Sequence, residues 1–382
     1  MKIPLSWLQL SREKMRLLIA IAGITFADLL MFIQLGFKDS LLESTTTLHR
    51  SLDGDIFLMS PQTDASIAFK TFSRRRLHQT LGMAGVEDIA PVYIQFGLWK
   101  NPLNNRTRSI GIVGFNPRRN ILNIPEINQN LNQIKLADVV LFDNQSRAEF
   151  GPIPELLAQG DTVTTEVQSR KITVGGLFNM GASFAADGWL VTSDVNFWRI
   201  FSERDPGLID IGIIWVQPDA DVNTVIENLR TRLPSDVRVL SREEFIDTER
   251  DYWQSSTAIG FIFSFGVVIG FIVGIVIVYQ ILYTDITDHL PEYATLKAMG
   301  YTDKYFAVLV LQEAFILAIL GFVPGLLIST LVYQVAAAGA NLTITMTMNK
   351  ATTVLILTII MCMSSGLVAI RKLSAADPAD IF

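Results

Sequence analysis

AIGFIFSFGVVIGFIVGIVIVYQILY, residues 258–283, runs for 26 positions without a Lys, Arg, Asp or Glu. A helix rises about 1.5 Å per residue, so about 20 apolar residues cross a hydrocarbon core of about 30 Å. This stretch is long enough to span a bilayer, and residues 17–37, 306–335 and 351–370 form three more apolar runs of spanning length. The first follows Lys2, Arg12, Lys14 and Arg16, as a signal peptide would. Its 21 residues exceed a normal signal core, however, and no small-x-small cleavage site follows Gly36 and Phe37. It reads as a retained anchor.

The charge pattern agrees. Only 18% of the 382 residues are charged, against roughly 25% in soluble domains. Residues 38–257 carry 22 Lys/Arg and 28 Asp/Glu, whereas the other 162 positions carry 9 of each, so the net charge of −6 belongs to the middle segment. An acidic chain without a basic tract is not a nucleic-acid binder, which needs clustered Lys/Arg to displace counterions from phosphates. The lone Cys362 leaves no internal disulfide and no multi-cysteine metal site. Placing the N-terminus inside puts Lys2, Arg12, Lys14, Arg16, Lys297, Lys304, Arg371 and Lys372 in the cytoplasm and only Lys350 in the short outer loop. Residues 38–257 are then exported and both termini stay inside.

At about 220 residues the exported segment can build its own core. Its strand candidates are DIFLMS (55–60), VYIQFGLW (92–99), SIGIVGF (109–115), VVLFD (139–143), KITVGGLF (171–178), GWLVTS (188–193) and DIGIIWVQ (210–217). Helical patterns at 73–85 and 221–233 sit between strands near either end, the second with Val222, Val225, Ile226 and Leu229 on one face. Two strand-helix-strand units of this kind pair into a ferredoxin-like subdomain, with the central strands inserted beyond it. The joining segments, KDSLLESTTTLHRSLDGD after Phe37 and SREEFIDTERDYWQSST before Ala258, lack Pro and Gly over at least 15 residues. Each can continue its span as a stalk helix, or form an ordinary amphipathic surface helix. The expected fold is thus an α-helical membrane protein with four transmembrane helices and a large α+β periplasmic domain inserted between the first and second. The segments are 1–16, 17–37, 38–257 and 258–382, with an inner loop at 284–305.

Within the spans, Gly266, Gly270 and Gly274 form a G-x-x-x-G-x-x-x-G ladder, a face that lets another helix approach closely. Its partner is either another span of this chain or the same helix of a second copy. Gly321, Pro324 and Gly325 mark a kink in the third span. Asp28 is the twelfth residue of the first run, where a charge costs about 2.5–3.5 kcal/mol on insertion scales. It calls for a partner on another helix or protomer, as a gate or proton-linked site, or else for an outer water-filled vestibule. Glu313 lies about one and a half turns into the third span, within snorkelling reach of the inner surface. In the inner loop, Tyr293, Leu296, Lys297 and Gly300 lie three or four apart after Pro291, which predicts a short amphipathic helix along the membrane surface.

These residues resemble a family. HLPEYATLKAMGYTDKYFAVLVLQEAFILAILGFVPG (289–325) is similar to the second inner loop and third span of FtsX-like permease domains in MacB-type ATP-binding cassette transporters, and RKLSAADPADIF (371–382) is similar to their closing segment. ADVVLFDNQSRAEFG (137–151) and GDTVTTEVQSRKITVGGLF (160–178) resemble the MacB-like periplasmic core, and AGITFADLLMFIQLGFKDSL (22–41) resembles the DevC-type permeases. The resemblance implies a permease subunit of an ATP-driven exporter in the inner membrane, acting as a homodimer among membrane lipids, with lipid or glycolipid cargo. It implies a DevA-like ATPase, a DevB-like membrane fusion protein and a TolC-like outer-membrane protein as partners. Glu292, Tyr293, Leu296, Lys297, Met299, Gly300 and Tyr301 would then form the ATPase-coupling loop, and Glu313 would fall at the family's Glu-Ala position. The same family also contains non-transporting transducers that regulate periplasmic partners, and lipoprotein-extracting permeases.

An enzyme reading has little to stand on. His49, His78 and His289 form no H-E-x-x-H pair, no G-x-S-x-G elbow occurs, and no G-x-x-x-x-G-K-[ST] phosphate loop exists to bind nucleotide. No cofactor or metal is expected on this chain, and ATP and Mg belong on the separate ATPase.

Overall fold

The computed structural model describes residues 13–340 and 344–374. Lys2, Arg12 and the closing stretch 375–382 lie outside the described residues. The chain forms two compact units, one from Met1–Ser40 with Ala258–Phe382 and the other from Leu41–Thr257.

The second unit begins in the last turns of helix α1 (Lys14–Thr45) and continues through α2 (Thr47–Ser51), β1 (Ile56–Met59), β2 (Phe72–Ser73), α3 (Arg74–Thr80), β3 (Val86–Lys100) and β4 (Thr107–Phe115). There follow α4 (Pro125–Asn130), β5 (Val139–Asp143), α5 (Ile153–Ala158), β6 (Thr164–Val167), β7 (Arg170–Phe178), β8 (Trp189–Ser193), α6 (Asp194–Ile200) and β9 (Leu208–Ile209). It closes with β10 (Ile211–Val216), α7 (Val222–Arg232), β11 (Arg238–Ser241) and α8 (Arg242–Asp251). Nine strands form one sheet in the order β11-β1-β10-β3-β4-β8-β5-β7-β6, and β6 also returns to β3.

Two motifs share that sheet. β11-β1-β10-β3, antiparallel throughout, with α3 and α7 as the crossovers, is the ferredoxin-like arrangement expected from the two strand-helix-strand units. β3-β4-β8-β5-β7-β6 closes on itself through the single pair Trp99–Val167. The long β3 belongs to both. Its first half pairs with β10 as far as Val92, its second half pairs with β4, and its far end meets β6. β5, β8 and β10 are buried at every position, with alternate side chains entering two different cores. That is why they read as unbroken apolar runs rather than alternating ones. α3, α6 and α7 are each capped by a side chain, Ser73, Ser193 and Asp221 accepting from Arg75, Asn196 and Thr224 backbone N–H respectively.

The first unit holds four helices long and apolar enough to cross a membrane: α1, α9 (Ala258–Asp288), α11 (Asp303–Ala340) and α12 (Met348–Ser374). A short α10 (Leu290–Ala298) joins α9 to α11. The spans are cross-linked by hydroxyl groups, Thr25 Oγ1 donating to Gly321 O at 3.1 Å, Ser365 Oγ to Ile275 O at 2.9 Å and Tyr333 Oη to Phe32 O. Such bonds are worth about 0.6–2 kcal/mol each where lipid supplies no hydrophobic drive between helices. Pro324 sits inside a continuous α11.

One connector departs from expectation. The segment before Ala258 does not run on as one helix: α8 ends at Asp251, a π turn covers Tyr252–Ser256, and Thr257 is extended (φ −117°, ψ 160°). The cause lies in side chains. Glu249 is 1% exposed, accepting from Ser66 N and Ser66 Oγ at 2.7 Å and from Trp253 Nε1 at 2.8 Å. Thr257 Oγ1 bonds back to Trp253 O at 2.6 Å. Holding Trp253 on Glu249 while the chain advances widens the turn, as at other π bulges.

Candidate functional site

The site begins where α9 ends. Its last turn carries Asp285 and Asp288, and His289 (φ −92°, ψ 8°) breaks the helix before Pro291 starts the next within its first turn. Arg16, on α1, donates to Asp288, lies 3.7 Å from Asp285 and pairs with Glu13 at 2.8 Å. His289 Nδ1 lies 3.0 Å from Asp285 O and 3.7 Å from its carboxylate. The start of the first span and the end of the second are therefore bolted together by an ionic cluster that sequence reasoning missed. Its signal was available: charges abutting two apolar runs on the same side of the membrane.

α10 has two faces. Tyr293 is 2% exposed and packs on Phe306 (ring centroids 5.6 Å apart) and His289 (6.4 Å), and half-buried Leu296 joins the same apolar cluster. Both were grouped with Met299 as one apolar docking side; the structure turns Tyr293 and Leu296 into the protein and leaves Met299, at the cap where the helix ends, exposed. Glu292, Met299, Gly300 and Tyr301 are exposed, Lys297 partly so, and Tyr305, unnoticed in the sequence, lies tilted against Tyr301 with ring centroids 4.7 Å apart. The helix stops at Gly300, whose φ of +97° suits glycine. Gly300 N bonds Lys297 O at 3.0 Å and Tyr301 N bonds Leu296 O at 3.2 Å, the paired bonds of a Schellman motif. The result is a fixed knuckle of Met299, Tyr301 and Tyr305 on a short bolted helix.

The intramembrane acids are placed as follows. Asp28 is 0% exposed, its partner being Thr358 on α12, whose Oγ1 donates to Asp28 Oδ1 at 2.6 Å. Glu313 does not snorkel: it is 1% exposed, its carboxyl beside Asp285 and Arg16. The glycine ladder faces α1 of the same chain. A Cβ on Gly266 would overlap Gln34, one on Gly270 would lie 3.2 Å from Met31 Cγ, and one on Gly274 would overlap Ala27 and Met361. No group of three or more His, Cys, Asp or Glu able to hold a metal occurs among the described residues.

No curated protein matches this chain. Among solved structures, the periplasmic region of MacB from Actinobacillus actinomycetemcomitans is 9% identical over 52% of this chain and 93% of that one, with a TM-score of 0.35. The extracellular domain of the noncanonic ABC-type transporter YknZ from Gram-positive bacteria is 10% identical over 49% and 99%, with a TM-score of 0.31. The part of the chain that carries the bolted helix and its knuckle has a firmer relation: residues 260–378 match the FtsX-like permease C-terminal domain.

Proposed function

We propose that this chain is the membrane subunit of an ATP-driven exporter of the DevC type, in which α10 and the turn after it receive a separate ATPase. The observation that carries the proposal is the two-faced α10. Tyr293 and Leu296 anchor it to the spans, so a push on Met299, Tyr301 or Tyr305 is delivered to α9 and α11 instead of being absorbed in a loose loop. The match over residues 260–378 supports the same reading. ATP and Mg would be held by the ATPase, and a periplasmic DevB-like adaptor and a TolC-like duct would complete the path for a lipid or glycolipid. The subunit would act as a homodimer, with both termini and α10 in the cytoplasm and residues 41–257 outside.

Met299→Asp with Tyr301→Ala tests the docking. Both side chains are exposed, so the fold and membrane insertion should persist, while ATPase copurification and the permease's stimulation of hydrolysis should fall at least tenfold, the loss of about 1.4 kcal/mol of apolar contact. Wild-type binding and stimulation in the double variant would refute the assignment.

A further inference from the structure

The long β3 leaves part of one edge unpaired. On the side away from β4 its pairing with β10 ends at Val92 and its pairing with β6 is confined to Trp99, so no strand pairs with residues 93–98 there. Every second residue of an antiparallel strand turns both its N–H and its C=O to the same edge. Ile94 turns them to this one, its N–H donating to Asp210 Oδ2 at 2.6 Å and its C=O accepting from Arg204 Nη1 at 3.2 Å. Leu98 does the same, its N–H donating to Gln168 Oε1 at 3.4 Å and its C=O accepting from Gln168 N at 3.1 Å. Phe96 stands midway between them, and among the described residues its N–H and C=O have no partner on this edge.

The gap is held open at both ends. Ile94 and Leu98 are about 13 Å apart at strand rise, room for about three residues of a further strand. The Arg204–Asp210 pair occupies the Ile94 end, with Asp210 1% exposed and the Arg204 guanidinium 5.2 Å from the centroid of the Phe197 ring. The edge opens into a cavity of about 960 Å³, within the size range of ligand pockets. Ile67, Phe69, Phe201 and Leu208 give it apolar walls, Ile67 being 40% exposed. Arg204 is the only basic residue among those lining it and is bound to Asp210, whereas Glu203 and Asp205 are exposed and form no ion pair among the described residues.

We propose that this cleft binds a short extended segment of a partner polypeptide, apolar and carrying a Lys or Arg, which adds to β3 through the N–H and C=O of Phe96. An unpaired donor and acceptor on a strand edge are matched by another extended backbone. Only one residue offers them, so the apolar walls supply most of the contact. The two unpaired acids favour a cation and repel an acidic segment. A lipid chain in the same cleft would cover both Phe96 groups without bonding either, which costs free energy.

The test pans a phage-displayed random heptapeptide library on the full-length protein in detergent micelles and measures the enriched peptides by fluorescence anisotropy. They should be apolar with a Lys or Arg. Methylating one backbone nitrogen, that of the peptide residue opposite Phe96, should weaken binding at least about tenfold, the scale of a lost hydrogen bond. Glu203→Lys with Asp205→Lys, at two exposed positions, should weaken it by a similar factor without moving the unfolding midpoint. To locate the peptide, Ile67→Cys and Leu103→Cys are each made with Cys362→Ala. Bound peptide should slow maleimide labelling of the first and leave that of the second, 63% exposed between β3 and β4, unchanged. Enrichment no greater than on the charge-reversed variant, or unchanged labelling of Ile67→Cys, would overturn the proposal. Binding that tolerates methylation at every backbone nitrogen would overturn it as well, since the Phe96 groups would then play no part.

Discussion

Glu249 and His49 show what one buried pair does for the domain between the membrane spans. Glu249 collects Ser66 and Trp253, and His49 Nε2 stands 3.6 Å from its carboxylate while the imidazole packs on Phe245 at 4.5 Å. The first and last helices of the domain are thereby tied through one carboxylate. Glu249→Ala leaves three donors buried without an acceptor, and should cost about 3–5 kcal/mol, read as a fall in the unfolding midpoint of the purified protein. Glu249→Gln, which keeps an acceptor oxygen, should recover part of that loss. Burial pushes the His49 pKa down, against an opposing pull from Glu249. A base with a lowered folded pKa gives its full stability above the unfolded value, near 6.5, and loses it as pH falls below that. Asp210 runs the other way: burial raises its pKa to about 6, against the pull of Arg204, so its contribution is present at low pH and lost as pH rises through about 6. The difference between wild type and His49→Gln isolates the histidine. The acid-side drop in the unfolding midpoint between about pH 7 and 5 should shrink in the variant, and identical profiles would show that folding does not lower the His49 pKa.

Among the elements, α9 and its glycine ladder are the most exposed to experiment. All three glycines face α1, and Gly274 meets Met361 on α12 as well. Gly274→Leu therefore drives a side chain into two neighbours at once and should destabilise the protomer by about 1–3 kcal/mol. At Gly266 the atoms nearest an added Cβ belong to the flexible end of Gln34, so Gly266→Leu should cost less. Thermal stability in detergent, compared with cross-linking yield, separates the two roles first open to the ladder. If Gly274→Leu leaves stability intact and abolishes cross-linking, the ladder serves a second copy rather than α1. The connectors differ as elements too. α1 runs without a break from Lys14 to Thr45, whereas the return path is interrupted at Tyr252–Ser256.

For the molecule as a whole the decisive measurement is sidedness. Ser235→Cys lies on an exposed loop between α7 and β11, and Thr302→Cys lies on the exposed turn between α10 and α11. With Cys362 replaced, an impermeant thiol reagent should label the first in spheroplasts and the second only after the membrane is opened. Labelling of Thr302→Cys in sealed cells would reverse the orientation and with it the placing of the ATPase.

The four spans were legible in the sequence because crossing a bilayer demands only local properties. Every backbone group is satisfied within its own helix, so length and apolarity suffice. β5, β8 and β10 were legible because burial on both faces leaves an unbroken apolar signature. The two crossover helices were visible for a similar local reason, an apolar face at helical spacing between polar flanks. β6 and β11, four residues each, and the first half of β3, which contains Pro91, carried no such pattern. Tertiary structure alone decided the rest. Closure of the barrel rests on Trp99 meeting Val167, and the tie between the ends of the domain rests on Ser66 meeting Glu249, 183 positions away. The inward turn of Tyr293 and Leu296 was equally hidden, since an amphipathic period states that a helix has two faces but not which neighbour each will find. Packing assigns the faces, and in this chain it sends the aromatic anchor inward and leaves Met299, Tyr301 and Tyr305 exposed.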